Sequence, residues 1–206
     1  AASITIFSSF FFNLGMKTYF SDKVQKVFEQ STTVANAYVR PIMRRYLEDL
    51  ASKLREAGMA ASEPLIMTSD GGTIPCATAA KYPVRLIESG PAGGAMAAAF
   101  LGGLSNHSDL IAFDMGGTTA KICIIEDGTP SRVGSFEVGH VYRFARGSGL
   151  PIRAPVLEMI EIGAGGGSIA HLDPGGALTV GPQSAGADPG PVSYGKGGSA
   201  ITTTDA

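Results

Sequence analysis

The chain has 206 residues, 44% of them hydrophobic and 17% charged, with a formal net charge of −2. This composition fits a globular chain of one or two domains, long enough to bury a core, and excludes a disordered or collagen-like one. No basic run is present, which argues against nucleic acid as a partner. The two cysteines, Cys76 and Cys123, have no metal-ligand spacing and read as buried free thiols in a reducing cytoplasm.

Residues 1–30 receive no functional assignment. Ala1 to Leu14, AASITIFSSFFFNL, is apolar and aromatic but too short to span a bilayer, and it lacks the basic region of a secretory signal, so no membrane partner is expected. An internal start at Met16 and a buried strand are the two readings of this segment. From Ser31 the pattern becomes regular. Val34, Tyr38, Ile42, Tyr46, Leu50 and Leu54 recur every four residues, with Ala35, Val39 and Leu47 beside them. That spacing predicts an amphipathic helix capped by Ser31 or Thr32, kinked at Pro41 and ended by Gly58.

Between Pro64 and Leu101 the rhythm is strand, loop, helix, strand, helix. PLIMT reads as a strand, SDGGT as a loop, and Pro75 to Tyr82 as a short helix with Thr73 as its cap. VRLIE reads as a second strand and SGPAGGAMAAAFL as a small-residue helix. The Ser89–Gly94 turn before that helix is either an anion site or a close-packing device. The alternation argues for α/β layers.

Leu110 to Asp127, LIAFDMGGTTAKICIIED, holds the densest chemistry. Two short β-branched runs flank Gly116-Gly117, and the first ends on Asp114. Gly116 and Gly117 are expected to take positive φ and let the backbone approach a ligand, while Thr118 and Thr119 add hydroxyl donors. Asp114 at the mouth would hold a metal ion or orient a water. Lys121 would compensate phosphate charge, although strand alternation also allows it to point to solvent. A plain hairpin turn in a glycine-rich chain is the alternative, since no GxxxxGK[ST] pattern accompanies the stretch.

Asp127-Gly128 turns the chain into a strand around Ser131 to Val138, giving an antiparallel meander beside parallel strands. Gly139 to Arg153 reads as a loose loop in which Arg143 and Arg146 can meet an anion. Val156 to Ile162 is a strand that leads into GAGGGS, Gly163 to Ser168, where several amides can face one ligand. DPGG at Asp173 to Gly176 is a turn, and DPGPVSYGKGG is a bent, functional type of loop. His107, His140 and His171 form no ligand or base pattern.

NAYVRPIMRRYL, SDGG, SGPAGG, FDMGGTTAK, RGSGLPI, EIGAGGGSIA, VGPQSAGADPGPVSYGKGG and TTTDA resemble, in order, the signatures of the hydantoinase A/5-oxoprolinase family, from about Ser31 to Ala206. The resemblance implies an α/β fold like the actin, sugar-kinase and heat-shock-chaperone ATPases (ribonuclease H-like), a mixed sheet with flanking helices, occupying 31–206. It implies ATP with Mg, and Gly116, Gly117, Thr118, Thr119 and Lys121 as a phosphate hairpin with Asp114 at the metal or water. Gly163, Gly165, Gly166 and Gly167 would lie near the nucleotide's other end. The implied reaction opens a cyclic amide, hydantoin or 5-oxoproline, through carbonyl phosphorylation, with a hydantoinase B-type partner subunit in an oligomer. An ATP-using subunit of an acetone-type carboxylase and a non-catalytic assembly module are the alternatives. The family carries a further DxGGT-type hairpin in a separate lobe. With one such motif, this chain is expected to be the central domain of a longer protein, inactive by itself.

Overall fold

The computed structural model describes residues 2–59, 63–139 and 147–206, with side chains described from residue 21 onward. In chain order the first elements are α1 (Ala2–Glu56), β1 (Leu65–Met67), β2 (Thr73–Pro75), α2 (Cys76–Lys81), a 3-10 helix (Pro83–Leu86) and α3 (Ser89–Leu104). Next come β3 (Leu110–Met115), β4 (Ala120–Glu126), β5 (Thr129–Pro130), β6 (Arg132–Val133), β7 (Phe136–Val138) and β8 (Leu150–Ile152). The last are β9 (Val156–Leu157), β10 (Ile160–Ile162), β11 (Ser168–Leu172), β12 (Leu178–Ser184) and two 3-10 turns, Val192–Tyr194 and Thr203–Asp205. The chain divides into two compact units, Ala1–Ile87 with Val133–Val156, and Glu88–Arg132 with Leu157–Ala206. Arg143, Arg146 and His140 lie outside the described residues.

In the first unit, α1 passes through Ser31 and Thr32 without a break. Neither hydroxyl caps a helix. Ser31 Oγ and Thr32 Oγ1 donate back to the Phe28 carbonyl at 3.1 and 2.6 Å, a bond that satisfies the hydroxyl inside a helix. Ser31 Oγ also reaches the Pro151 carbonyl, and the Arg153 N–H donates to Thr32 Oγ1, so both side chains pin β8 to α1. The helix end is as expected: Gly58 has φ 83° and the Met59 N–H reaches back to the Leu54 carbonyl at 2.9 Å, a Schellman closure.

The four-residue stripe is not the buried face. Val34, Tyr38, Ile42 and Tyr46 are exposed, while Leu47 is buried against Cys76 and Ala79, with Leu50 and Ala51 beside it. The cause is geometric. Steps of four residues overrun a turn of 3.6, so a line from position 34 to 50 rotates by about 160° around the axis. A second cluster joins Val84, Ile152 and Ala154 with Ala35, Ile87, Phe136 and Val138.

The expected mixed sheet is corrected: every pairing with a defined register is antiparallel. The two segments read as parallel strands do other things. β1 folds back on β2 across the Ser69–Gly72 turn. VRLIE is preceded by Pro83, which fixes φ at the first helical position, and its Val84–Leu86 part lies in a 3-10 turn. The Ser69 N–H and Oγ both donate to the Arg85 carbonyl, and the Val84 N–H donates to Asn36 Oδ1, so tertiary partners override strand propensity. Likewise α2 begins at Cys76 after Pro75, without a side-chain cap, because Thr73 sits in β2. The loose segment 139–153 closes with a strand, β8, paired to β7.

The second unit contains the central hairpin. β3 and β4 pair from Leu110↔Ile125 to Met115↔Ala120, β10 lies on the far side of β4, and β5 follows β4 through Asp127-Gly128. That turn has φ 50° and 71°, the left-handed pair of a tight hairpin. α3 packs on one face, where Ala92, Ala95 and Met96 meet Ala112, Cys123, Leu157 and Met159. Small residues let helix and sheet approach closely. The apolar 110–113 run is covered on that face only: Ile111 and Phe113 on the other are 69% and 58% exposed. Among the described residues no helix is long and apolar enough to cross a membrane.

Ala92 is fully buried. Ala92→Leu is therefore expected to cost about 1–3 kcal/mol through overpacking, seen as a lower urea midpoint, whereas Ala97→Leu on the exposed face of α3 should leave the midpoint nearly unchanged.

Candidate functional site

The hairpin tip is built from backbone. The Gly116 N–H donates to the Thr119 carbonyl at 2.9 Å and closes the turn. Neither Gly116 nor Gly117 has the positive φ expected of them; the left-handed glycines lie elsewhere, at Gly128, Gly176 and Gly181 among others. A right-handed or extended backbone suffices here because the GAGGGS loop supplies the support. The Gly166 N–H donates to the Gly116 carbonyl at 2.9 Å, and the Gly167 N–H donates to the Gly117 carbonyl at 2.7 Å. A Cβ on Gly165 would meet Gly116 O and Thr118 N at 2.6 and 2.7 Å, so glycine is required there for the two loops to touch.

This contact redistributes the amides of the sequence reading. In GAGGGS the Gly165 N–H is taken by Ser168 Oγ and those of Gly166 and Gly167 by the hairpin, so these three face protein and not a ligand. At the tip, the N–H groups of Gly117, Thr118 and Thr119 have no acceptor among the described residues. Gly116, Gly117 and Thr118 are exposed. The structure thus brings Gly116–Thr119 and Gly163–Gly167 together as one assembly, with the first presenting donors and the second bracing it. The loop therefore lies against the hairpin.

Asp114 and Lys121 face each other across β3 and β4. Asp114 is exposed. Lys121 is not: its side chain is 14% exposed, with Nζ 2.5 Å from Glu88 Oε2 and 3.5 Å from Glu161 Oε1. The solvent-pointing alternative is thus corrected, and two carboxylates already match the Lys121 charge. Glu161 pairs with Lys121 in the β10–β4 register, and Glu88 precedes α3 in a left-handed conformation, φ 69°. Sequence reading missed Glu88 and Glu161. The alternation EIG before GAGGGS marks Glu161 as facing opposite Ile160 and Ile162, but nothing local announces its strand partner. Beside this cluster, α3 and β3 enclose a cavity of about 360 Å³ whose lining includes Pro91, Gly94, Phe113, Asp114 and Lys121.

The C-terminal turn braces the assembly from behind. The Thr204 N–H and Oγ1 both donate to the Gly166 carbonyl, at 2.9 and 2.8 Å. Asp205 orients that turn by accepting from the Ser193 N–H at 2.7 Å, the Thr202 N–H at 2.8 Å and the Thr202 hydroxyl at 2.9 Å. The Ser193 N–H, outweighing partial desolvation and helped by Thr202, holds the Asp205 carboxyl well below the usual carboxylate range. Cys76 and Cys123 are buried and free, and burial pushes both thiols up, so neither is a nucleophile. Among the described residues no group of three or more His, Cys, Asp or Glu side chains is placed to hold a metal. Any divalent ion at Asp114 would need ligands from a bound phosphate, the mode Mg ordinarily uses.

A family model described as Hydantoinase/oxoprolinase matches residues 29–206. The chain is 39% identical over 185 residues to caprolactamase subunit alpha of Pseudomonas jessenii, covering 89% of this chain and 25% of that protein. It is 36% identical over 177 residues to a 5-oxoprolinase of Saccharomyces cerevisiae, covering 85% of this chain and 12% of that one. The crystal structure of the ATP-dependent caprolactamase from Pseudomonas jessenii superposes with a TM-score of 0.61 over 85% of this chain and 24% of that chain. A nucleotide-free acetone carboxylase does so at 0.59 with 31% identity, covering 77% and 21%. The chain therefore spans a quarter or less of these relatives.

Two outcomes test the bracing. Gly165→Ala should cost about 1–3 kcal/mol of stability, as a methyl group is forced between two backbones, whereas Gly94→Ala, whose Cβ meets nothing within 4 Å, should not; urea unfolding reads both. Asp205 titrates lower in the folded than in the unfolded chain. Its contribution is therefore complete above about pH 4 and is lost as pH falls further. Asp205→Asn should flatten the drop in melting temperature below about pH 4, and an unaltered pH profile would show that this carboxylate does not hold the turn.

Proposed function

The chain belongs to the hydantoinase/oxoprolinase family, and from that premise we propose that it is the part of an ATP-dependent cyclic-amide hydrolase that grips the nucleotide's phosphates. The observation that carries this reading is the trio of unpartnered amides at Gly117, Thr118 and Thr119 on an exposed, braced tip. Clustered N–H donors of this kind form a concavity suited to phosphate oxygens. A ring amide is a poor electrophile; transfer of the phosphoryl group from ATP to its carbonyl oxygen, with ADP leaving, activates the carbonyl carbon. Water then adds there, the ring C–N bond breaks with its nitrogen protonated, and a second water releases phosphate from the acyl phosphate.

The chain's own contribution is positioning and electrostatics, which dominate phosphoryl transfer. Gly117, Thr118 and Thr119 donate backbone N–H groups, and the two threonine hydroxyls add further donors. Asp114 orients water or serves as the protein ligand of a phosphate-bound Mg. Lys121, held by Glu88 and Glu161, fixes β10 and the start of α3 around the hairpin and so keeps Asp114 in place. In the wider fold this unit would be one lobe of an actin-like ATPase, working with a partner subunit; relatives are named as subunits of caprolactamase and of acetone carboxylase. Identity is higher toward the caprolactamase than toward the acetone carboxylase, which favours amide hydrolysis over carboxylation.

The test uses a full-length protein carrying this domain and measures amide-dependent ATP turnover. Asp114→Asn is expected to lower turnover by about 10²-fold or more while leaving the melting temperature unchanged. Gly117→Val should abolish turnover by filling the space a phosphate needs: a Cβ at Gly117 meets nothing within 4 Å in the protein itself, so loss there reports ligand approach and not misfolding. Wild-type turnover in both variants would reduce the hairpin to an ordinary turn.

A further inference from the structure

The first unit contains a groove that the phosphate site does not use. Between α1, α2 and the described residues Met59, Glu63 and Pro64 lies a cavity of about 680 Å³, within the roughly 300–1,000 Å³ range of small-molecule sites. Its floor is apolar, with Leu47, Ala51 and Leu54 from α1 and Cys76, Ala77 and Ala80 from α2. The rim is basic: Arg40, Arg44, Arg55 and Lys81 face two carboxylates, Glu48 and Glu63.

Those carboxylates are already engaged. Glu48 Oε1 is 2.7 Å from Arg44 Nε, and Glu63 Oε1 accepts the Ala77 N–H at 3.4 Å. Lys81 Nζ lies 5.3 Å from the centre of the Tyr82 ring. Among the described residues Arg40 and Arg55 have no hydrogen bond or ion pair. They stand about 22 Å apart along α1 at 1.5 Å per residue, one toward each end of the groove. An unpaired guanidinium is a planar fork that matches one carboxylate with two parallel hydrogen bonds. The engaged glutamates offset part of the rim's charge, and the apolar floor suits the body of an organic carboxylate.

We propose that this groove binds an amphipathic organic carboxylate, its apolar body on the Leu47–Ala80 floor and its carboxylate on Arg40 or Arg55. The proposal is independent of the phosphate-hairpin reading.

Calorimetric titration of the chain with octanoate, 1-octanol and octylamine tests it. Octanoate is expected to bind at least about tenfold more tightly than the other two, because only it meets a guanidinium. The Arg40→Ala/Arg55→Ala double variant should lose that preference with its melting temperature unchanged, since both residues are exposed on α1. Equal binding of all three probes would overturn the proposal, as would full octanoate binding by the double variant. Displacement of octanoate by a helical acidic peptide of higher affinity would overturn it in favour of a protein-docking groove.

Discussion

The second unit depends on the contact between two stretches of bare backbone. Gly165 lies so close to Gly116 and Thr118 that no side chain fits, and two N–H···O bonds join Gly166 and Gly167 to the hairpin. Each such bond contributes only about 1 kcal/mol net, but their geometry determines where the tip sits. Thr204 then holds Gly166, and Asp205 holds the turn that carries Thr204. The candidate phosphate grip is therefore braced in series by residues distant in sequence, and its shape does not rely on the strained glycine conformations that the GG pair suggests.

Lys121 performs the corresponding task for the strands. A largely buried ammonium is costly unless paired, and here Glu88 and Glu161 pair it from two different elements. One cation thereby fastens β10 and the entry to α3 onto β4. Glu88 adopts φ 69° at that point, an unfavourable conformation for a side-chain-bearing residue. It persists where the ion pair and α3 packing both demand it.

What was legible in the sequence follows from the range of the interactions. The Asp127-Gly128 turn, the Gly58 helix end and the β3–β4 hairpin are local, and residue chemistry alone announces them. The start of α1 and the VRLIE segment are not local in this sense, because Ser31, Thr32 and Val84 take their partners from other segments. The exposed Val34–Tyr46 line followed from treating a period of four as a helical period. Among site residues, Asp114 and the Gly116–Thr119 tip could be picked out by type and spacing. Glu88 and Glu161 could not, since only strand register and the α3 approach bring them to Lys121.

The bracing also decides the sign of the site. A turn normally offers both donors and acceptors to solvent, and so has little preference for anions. Here the carbonyls of Gly116, Gly117 and Thr119 are consumed by Gly166, Gly167 and Gly116 respectively. The amides of Gly117, Thr118 and Thr119 are left over. Exposed donors cost little while water solvates them, and they become worth more once a ligand excludes that water. Engaging three of the tip's carbonyls while three amides are left over biases this edge of a neutral backbone toward donors. Lys121, already matched by Glu88 and Glu161, takes no part in that bias, which arises from the backbone alone.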